Sequence, residues 1–226
     1  EFGGGKIEGG KLNFEKQVGG SLDLASATQK SMRHTRGNEI GMIFQEPMTA
    51  LNPVFTIGRQ LTEGLRLHKK LSKQQARLRA IELLDQVRIP EPEKRLKQYP
   101  HELSGGMRQR VVIAMALACE PRLLIADEPT TALDVTIQAE ILALIDRLKR
   151  ETGTAVMFIT HDMAVVAQMA DRVVVMYRGN KVEEGNVIDV FENPQHDYTK
   201  SLLTAVPKLG EMLGKKYPEP MKLIGD

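Results

Sequence analysis

Cysteine, long apolar runs and an excess of charge of one sign are all scarce in this sequence of 226 residues. Cys119 is the only cysteine, so an internal disulfide and a cysteine-based metal cage are excluded. No apolar stretch approaches the roughly 20 residues that span a bilayer, and the polar, glycine-rich start is unlike a signal peptide. We therefore expect neither a membrane-embedded nor a disulfide-stapled protein, and the single cysteine agrees with a cytosolic location.

Basic and acidic residues nearly balance, with 31 Lys and Arg against 29 Asp and Glu and a net charge of +2. A protein that coats DNA or RNA needs clustered Lys and Arg, so we expect no nucleic-acid partner. The five histidines are scattered without the spacing of zinc ligands, so no zinc site is expected. Hydrophobic residues at 42% and charged residues at 27% are ordinary for a globular domain.

Short β-branched runs alternate with amphipathic helices along much of the chain, which is typical of a parallel sheet with helices on both faces. A helical insertion follows the first of these strands. It is indicated by the capping pair Ser72 and Gln75, by an apolar stripe from Leu78 to Val87, and by a further cap at Ser104. Strands are predicted at 39–44, 122–126, 154–160 and 172–177, and helices at 135–150 and 163–169.

Two adjacent carboxylates, Asp127 and Glu128, follow the apolar run 123–126. Their position predicts the carboxyl edge of a parallel sheet, where α/β proteins bind ligands. The first carboxylate is well placed to hold Mg²⁺, and the second to orient or deprotonate a water molecule. A strand that simply ends in solvated acids explains this motif equally well when it is taken alone.

Ser104, Gly105 and Gly106 stand at the predicted start of a helix. Free backbone N–H groups, a hydroxyl and the positive end of the helix dipole form an anion site there, and glycine lets a phosphate approach the backbone. By itself the triplet is better explained as an ordinary serine cap with a flexible start. The order of the motifs along the chain favours the anion site.

The order and spacing of five motifs over about 120 residues resemble the ATP-binding cassette family. In that family's terms, the chain carries a Q-loop, a signature motif, a Walker B pair, a D-loop and a switch histidine. The residues that match are, in that order, Gln45, Leu103 to Gln109 with the sequence LSGGMRQ, Asp127 with Glu128, Asp134, and His161.

The resemblance implies an α/β fold of the P-loop NTPase (RecA-like) type, with a parallel-sheet core and an α-helical subdomain inserted into it. It also implies ATP and Mg²⁺ as ligands, with Glu128 activating water and His161 sensing the γ-phosphate. Asp127 and Gln45 would position Mg²⁺. The nucleotide-binding residues implied are Gln45, Ser104, Gly105, Gly106, Gln109, Asp127 and Asp134. The implied domains are a core at 1–46 and 119–185, a helical signature subdomain at 47–118, and a C-terminal importer-type extension at 186–226.

Three segments resemble the dipeptide, oligopeptide and nickel importer ATPases: residues 42–53 around the Q-loop, residues 99–103, and the tail 193–203. Within that group, residues 33–220 look most like the first cassette of the two-cassette ATPases that import glutathione. The cysteine-rich tail of some relatives is absent. The transported solute is chosen by partner proteins, so the sequence does not discriminate glutathione from peptides.

The phosphate-binding loop Gly-x-x-x-x-Gly-Lys-Ser/Thr is not found. The nearest match, residues 5–12, ends in Leu12, which has no hydroxyl for Mg²⁺, and no apolar strand precedes it. In the family, a glycine-rich stretch like 4–10 comes after the P-loop, so we expect the chain to begin downstream of that loop. Weak ATP binding, negligible hydrolysis and doubtful stability of the isolated chain are expected in consequence.

Three hypotheses remain. The first is an ATP hydrolase subunit at the cytoplasmic face of a membrane. Its partners would be a second cassette, membrane permease subunits that contact residues 46–55, and, indirectly, an extracytoplasmic solute-binding protein. The second is a non-catalytic module that completes a partner's ATP site. The third, a DNA-repair or translation ABC protein, fits less well because the insertion is too short for a long coiled coil.

Overall fold

The computed structural model describes residues 7, 9–16, 19–45, 50–130 and 134–205. The chain divides into two units, Glu1–Ile159 and Thr160–Asp226. This boundary lies inside the segment 119–185 that the sequence assigns to the ATP-binding core, so the predicted domain bounds stay predictions. Residues 46–49, 131–133 and most of the predicted C-terminal extension beyond 205 lie outside the described residues.

A three-stranded parallel sheet forms the centre of the first unit. It contains β3 (Ile40–Ile43), β4 (Leu123–Asp127) and β5 (Ala155–Ile159) in that spatial order. In the register, Ile43 lies opposite Ala126, and Asp127 lies opposite Ile159. The three predicted strands are thus confirmed to within one or two residues, and so is their parallel arrangement.

The helical segment, residues 50–118, separates β3 from β4 in the chain, as the sequence predicts. Its helices pack on one another around a continuous apolar core that includes Ile57, Leu61, Leu84 and Ile113, each at most 1% exposed. The elements are α2 (Ile57–His68), α3 (Lys73–Gln86), α4 (Pro92–Arg95), the 3₁₀ helix Pro100–Glu102, and α5 (Gly105–Leu117).

Helix α3 begins with the predicted capping box. Ser72 Oγ accepts from Gln75 N at 3.3 Å, and Gln75 Oε1 accepts from Ser72 N at 3.0 Å. The predicted apolar stripe is wrong at Leu78, which is 52% exposed. The buried face instead uses Ala76 and Ala80, because the small side chains let the neighbouring helices approach.

Two arginines hold the C-terminal end of α3. Arg110 of α5 donates to Val87 O at 2.9 Å, and Arg147 donates to Gln86 O. Arg147 belongs to α6 (Val135–Thr152), the predicted crossover helix between β4 and β5. Cations at a helix C-terminus satisfy its free carbonyl groups and complement its dipole. The helical segment is thereby tied to the crossover helix.

The N-terminal residues form one strand pair and one short helix. β1 (Asn13–Glu15) and β2 (Ser21–Asp23) form an antiparallel pair. Helix α1 (Gln29–Thr35), capped by Thr28, was not predicted. Its seven residues make two turns, which is too short for a clear helical period.

In the second unit, the predicted helix at 163–169 and the predicted strand at 172–177 are confirmed as α7 (Met163–Met169) and β6 (Arg172–Tyr177). Strand β6 was expected in a parallel sheet, but its described pairing is antiparallel. It pairs antiparallel with β7 (Asn180–Asn186) through a tight turn at Arg178 and Gly179, whose φ angles are +48° and +81°. Positive φ at both turn residues suits a two-residue hairpin. The unit ends with α8 (Val187–Glu192) and α9 (Asp197–Thr204).

Among the residues that the structure describes, no helix is both long enough and apolar enough to cross a membrane.

Candidate nucleotide site

The carboxyl edge of the parallel sheet brings together residues from two predicted motifs. Strands β3 and β4 run in the same direction, so Gln45 and Glu128, which follow them, leave the sheet at the same edge. Gln45 Nε2 donates to Glu128 Oε2 at 2.9 Å. Asp127, the last residue of β4, is half-buried beside them in the chain. An amide and two carboxylates therefore stand where α/β proteins bind ligands.

Glu128 has a backbone conformation that is rare for its residue type. Its φ is +44°, in the left-handed region, which costs a non-glycine residue about 1–2 kcal/mol. Its N–H donates to Ile159 O, at the end of β5, at 2.9 Å. The neighbouring strand thus holds the strained residue in place. Glu91 and Glu120 have similar φ angles, of +53° and +51°, so Glu128 is distinguished by its place at the carboxyl edge of the sheet and not by the strain alone.

The serine and two glycines of the LSGG sequence begin helix α5, as predicted. Ser104 is the N-cap, and its Oγ accepts from Met107 N at 3.3 Å. A Cβ atom at Gly105 would meet nothing within 4 Å, whereas one at Gly106 would lie 3.4 Å from Ile137 Cγ2. The first turn of α5 is therefore open at Gly105, and an anion can reach backbone N–H groups there.

Gln109, a predicted nucleotide-binding residue, is 0% exposed. Its Nε2 donates to Pro129 O, and its Oε1 has no hydrogen-bond partner among the residues that the structure describes. A side chain without exposed surface offers nothing to a nucleotide, so direct contact is not supported. A buried acceptor without a hydrogen bond lowers the free energy of unfolding by about 1–3 kcal/mol. The presence of glutamine at this core position therefore needs an explanation.

Asp134 and His161 have local roles that the structure describes. Asp134 caps helix α6, and its Oδ1 accepts from Ile137 N at 2.9 Å. His161 is an exposed residue of the second unit, next to Asp162, which caps α7. Nucleotide contact by Asp134 and phosphate sensing by His161 stay predictions.

Comparisons with known proteins agree with this arrangement. Residues 11–131, more than half of the chain, match the family model described as ABC transporter. The chain belongs to the ABC transporter family. Residues 182–223 also match the model described as the oligopeptide/dipeptide transporter C-terminal region, which confirms the predicted importer subfamily.

Curated relatives of this ABC chain include the glutathione import ATP-binding protein GsiA of Escherichia coli (strain K12), which is 55% identical over 224 residues. The protein of the same name from Pectobacterium atrosepticum is 56% identical over 224 residues. Each alignment covers 99% of this chain but 36% of the relative. The chain therefore spans little more than a third of the length of these relatives.

Two solved structures show the same fold. The dimeric ATP-binding cassette MJ0796, in a post-hydrolysis state with ADP and Pi, has a TM-score of 0.65 and 30% identity over 74% of this chain and 70% of that one. The cassette cbiO1 of Clostridium perfringens has a TM-score of 0.63 and 30% identity over 78% and 69% of the two chains. The predicted P-loop NTPase fold is confirmed.

The oxygen donors at the sheet edge of this ABC chain suit Mg²⁺. Asp127 offers a carboxylate, and Gln45 offers its amide oxygen, since its Nε2 already donates to Glu128. Mg²⁺ favours one or two protein oxygen ligands, completed by water and substrate phosphates. Within the described ranges, no group of three or more His, Cys, Asp or Glu could hold a metal ion by itself. The residues present therefore fit a metal that arrives with a phosphate ligand.

The sequence motifs of this ABC chain do not indicate the two backbone carbonyl groups whose hydrogen bonds fix the backbone at Glu128 and Pro129. Ile159 O binds the Glu128 N–H, and Pro129 O binds Gln109. A proline disfavours the right-handed helical region for the residue before it and favours extended backbone, so Pro129 signals a restriction at Glu128 but not its positive φ.

Proposed function

We propose that this chain is the ATP-binding and ATP-hydrolysing part of an ABC importer for peptides or glutathione. The observation that carries the proposal is the contact of Gln45 with Glu128 at the carboxyl edge of the sheet, next to Asp127. This hydrogen bond connects the Q-loop residue to the Walker B pair at the carboxyl edge of the sheet. Family membership supports the same assignment.

The residues have separate roles in this proposal. Glu128 accepts a proton from the attacking water, and its carboxylate is oriented by the amide of Gln45. Asp127 and Gln45 hold Mg²⁺, which neutralises phosphate charge when it is bound. Ser104 and the open first turn of α5 bind phosphate oxygens through a hydroxyl and backbone N–H groups. We propose that His161 and Asp134 complete the site as the phosphate sensor and the D-loop aspartate.

A second cassette and a membrane permease are the proposed partners. Dimerisation is supported by the similar cassette MJ0796, whose solved structure is dimeric. Docking of the permease on the segment after Gln45 is supported by Val54, which is 69% exposed, and by Arg59, whose guanidinium lies 3.6 Å from the Phe55 ring centroid. An extracytoplasmic solute-binding protein would act through the permease. These partners would place the chain at the cytoplasmic face of the membrane.

Peptides and glutathione are the proposed solute class. The relatives named above import glutathione by their names, and residues 182–223 match a family model of oligopeptide and dipeptide transporters. Glutathione is itself a short peptide, so the two indications agree on chemical class.

We also propose that these 226 residues alone hydrolyse ATP poorly, because they contain no Gly-x-x-x-x-Gly-Lys-Ser/Thr sequence. The amides and lysine of that loop hold the β- and γ-phosphates. The same observation favours an alternative function, in which the chain is a non-catalytic module that completes a partner's ATP site. ATPase activity that appears only after mixing with a P-loop-bearing cassette, and survives Glu128→Gln in this chain, would support the module.

The deciding experiment is Glu128→Gln in the full-length native protein that carries this sequence. We expect the rate of steady-state ATP hydrolysis to fall by about 10²- to 10⁴-fold, the usual contribution of a general base, while ATP still binds. Glu93→Gln is the matched control, because the Glu93 side chain is 70% exposed on α4 and pairs only with surface Arg77. An undiminished rate in the Glu128 variant would remove this residue from the role of base.

A further inference from the structure

Gln109 lies in the core on helix α5. An apolar side chain at this position would leave no buried polar atom without a hydrogen bond. Gln109 is fully buried, and no described residue pairs with its Oε1. The buried Gln60 is a useful comparison, since its Oε1 accepts from Asn52 N at 2.8 Å and its Nε2 donates to two carbonyl groups. The burial of Gln60 is explained by these bonds, which hold the loop before α2. Among the described residues, the Gln109 side chain makes one hydrogen bond, so its role depends on what that bond does.

The side-chain hydrogen bond of Gln109 ends one peptide away from Glu128. Its Nε2 donates to the carbonyl of buried Pro129, while the Glu128 N–H is bound to Ile159 O at 2.9 Å. Glu128 therefore lies between two anchors, the backbone carbonyl of Ile159 at the end of β5 and the side-chain amide of Gln109 on α5. Its φ of +44° is unfavourable for a glutamate, so the conformation persists only while its surroundings hold it.

Helix α5 also carries Ser104, Gly105 and Gly106 at its first turn, within five positions of Gln109. Because a helix moves as a rigid element over this length, a shift of the first turn shifts Gln109. The buried amide then passes the shift to Pro129 and to the backbone of Glu128. The phosphate-facing turn and the glutamate are thus mechanically joined within one chain.

We propose that Gln109 is a positioning residue that holds Glu128 in its reactive orientation and links this orientation to the first turn of α5. The inference rests on the proposed function, since it assumes that Glu128 acts on ATP. Gln109 itself touches neither nucleotide nor water in this scheme. It acts through Pro129 alone.

The test is Gln109→Met, which nearly preserves side-chain volume and removes the donor. We expect kcat for ATP to fall by about 10- to 100-fold, the usual result of a misplaced catalytic group, with KM for ATP within about twofold. The melting temperature should stay within about 2–4 °C, because the variant loses one hydrogen bond but also removes a stranded acceptor. The measurement uses the full-length native protein.

Thr154→Val is the matched control. Thr154 is 4% exposed, and its Oγ1 donates to Pro121 O at 2.8 Å, so it also binds a proline carbonyl, but beside the opposite end of the sheet. Thr154 Oγ1 also accepts from Thr152 Oγ1 at 2.8 Å, so this variant loses two structural hydrogen bonds. It should have a lower melting temperature and keep kcat within about twofold. A Gln109→Met protein that keeps its kcat, or that loses kcat only in proportion to lost stability, would overturn the proposal.

Hydrogen exchange gives a second readout that needs no ATPase activity. The Glu128 N–H should exchange about 5- to 10-fold faster in Gln109→Met than in the wild type, because one of the two anchors of the turn is gone. Unchanged exchange would refute the link between Gln109 and Glu128. If wild-type protein shows no hydrolysis sensitive to Glu128→Gln, the proposed function fails, and the exchange result still decides whether Gln109 holds the turn.

Discussion

The helical segment and the parallel sheet bury their apolar residues to different extents. In the helical segment, the core-facing side chains of α2, α3 and α5 are almost fully enclosed, and Leu61, Leu84 and Ile113 are at most 1% exposed. In the sheet, one face is buried at Ile43 and Ala126, but apolar residues on the strands are also exposed, among them Met42 at 37%, Met157 at 45% and Ile159 at 46%. The helical segment is thus closed around its own core, whereas the sheet, in the residues described, is covered on one face.

This difference in burial means that apolar side chains in the two regions contribute unequally to the free energy of unfolding. Each enclosed side chain of the helical segment contributes its full transfer free energy, about 1.5–3 kcal/mol. An exposed methionine on the sheet contributes little and adds apolar surface to which another surface can bind. Substitutions in the two regions should therefore have unequal effects on the free energy of unfolding.

The largest effect is expected from Ile113→Ala in α5. This residue is 0% exposed on a helix that is buried on several sides, so the change should lower the free energy of unfolding by about 2–5 kcal/mol. Met157→Ala, on the exposed side of β5, is the matched sheet variant and should change it by less than about 0.5 kcal/mol. Urea denaturation measures both, and equal losses would contradict the contrast between the two regions.

A smaller effect is expected where the helical segment meets the sheet. A Cβ atom at Gly41 in β3 would lie 2.3 Å from Ala116 O and 3.2 Å from Pro121 Cγ. Gly41→Ala therefore requires the end of α5 to move, at a cost of about 1–3 kcal/mol. Gly64→Ala is the control within α2, where a Cβ meets nothing within 4 Å. It should stabilise by about 0.5–1 kcal/mol, so opposite signs in thermal unfolding are the expected result.

The capping box of α3 should contribute less than the junction at Gly41. Ser72→Ala removes the oxygen that accepts from Gln75 N and should cost about 1 kcal/mol. Ser26→Ala, which removes only an exposed bond to Asp23 in a turn, should cost clearly less. A Ser72 variant that unfolds at the wild-type urea concentration would show that tertiary packing alone holds α3.

The smallest effect on folding is expected from Met157→Gln combined with Ile159→Thr. Both side chains are roughly half exposed, so the free energy of unfolding should change by less than about 0.5 kcal/mol. Self-association should fall, because apolar surface is removed from the sheet. Light scattering at increasing protein concentration measures this, and Leu78→Gln on α3, also about half exposed at 52%, tests whether an isolated apolar residue has the same effect.

Most of the local structure was predictable, because the signals are short-range. The apolar run before Asp127, the capping pair at Ser72, and the serine and glycines before α5 each state a local preference that the fold keeps. The elements that were not predicted have sequence patterns too weak to indicate a helix or a strand. Helix α1 has two turns, and β7, with the sequence NKVEEGN, alternates poorly and is identified only by the turn at Arg178 and Gly179.

The candidate site was predictable to the level of residue types and their order. Gln45, Ser104, Asp127 and Glu128 were each placed on the correct element. What could not be predicted is how the elements meet: the contact of Gln45 with Glu128, the backbone strain at Glu128, and the burial of Gln109. Each involves residues that are 20 or more positions apart or backbone groups that carry no sequence signal.

The sequence by itself determined the family, the parallel arrangement of β3, β4 and β5, and which residues end each strand. These follow from hydrophobic period, caps and motif spacing, which are properties of neighbouring residues. Only the tertiary structure decided the spatial order of these strands, the burial of the Gln109 amide against Pro129, and the pairing of β6 with β7. The reason is physical: the partner of a buried amide or of a strand is chosen by the elements that surround it, and those elements come from distant parts of the chain.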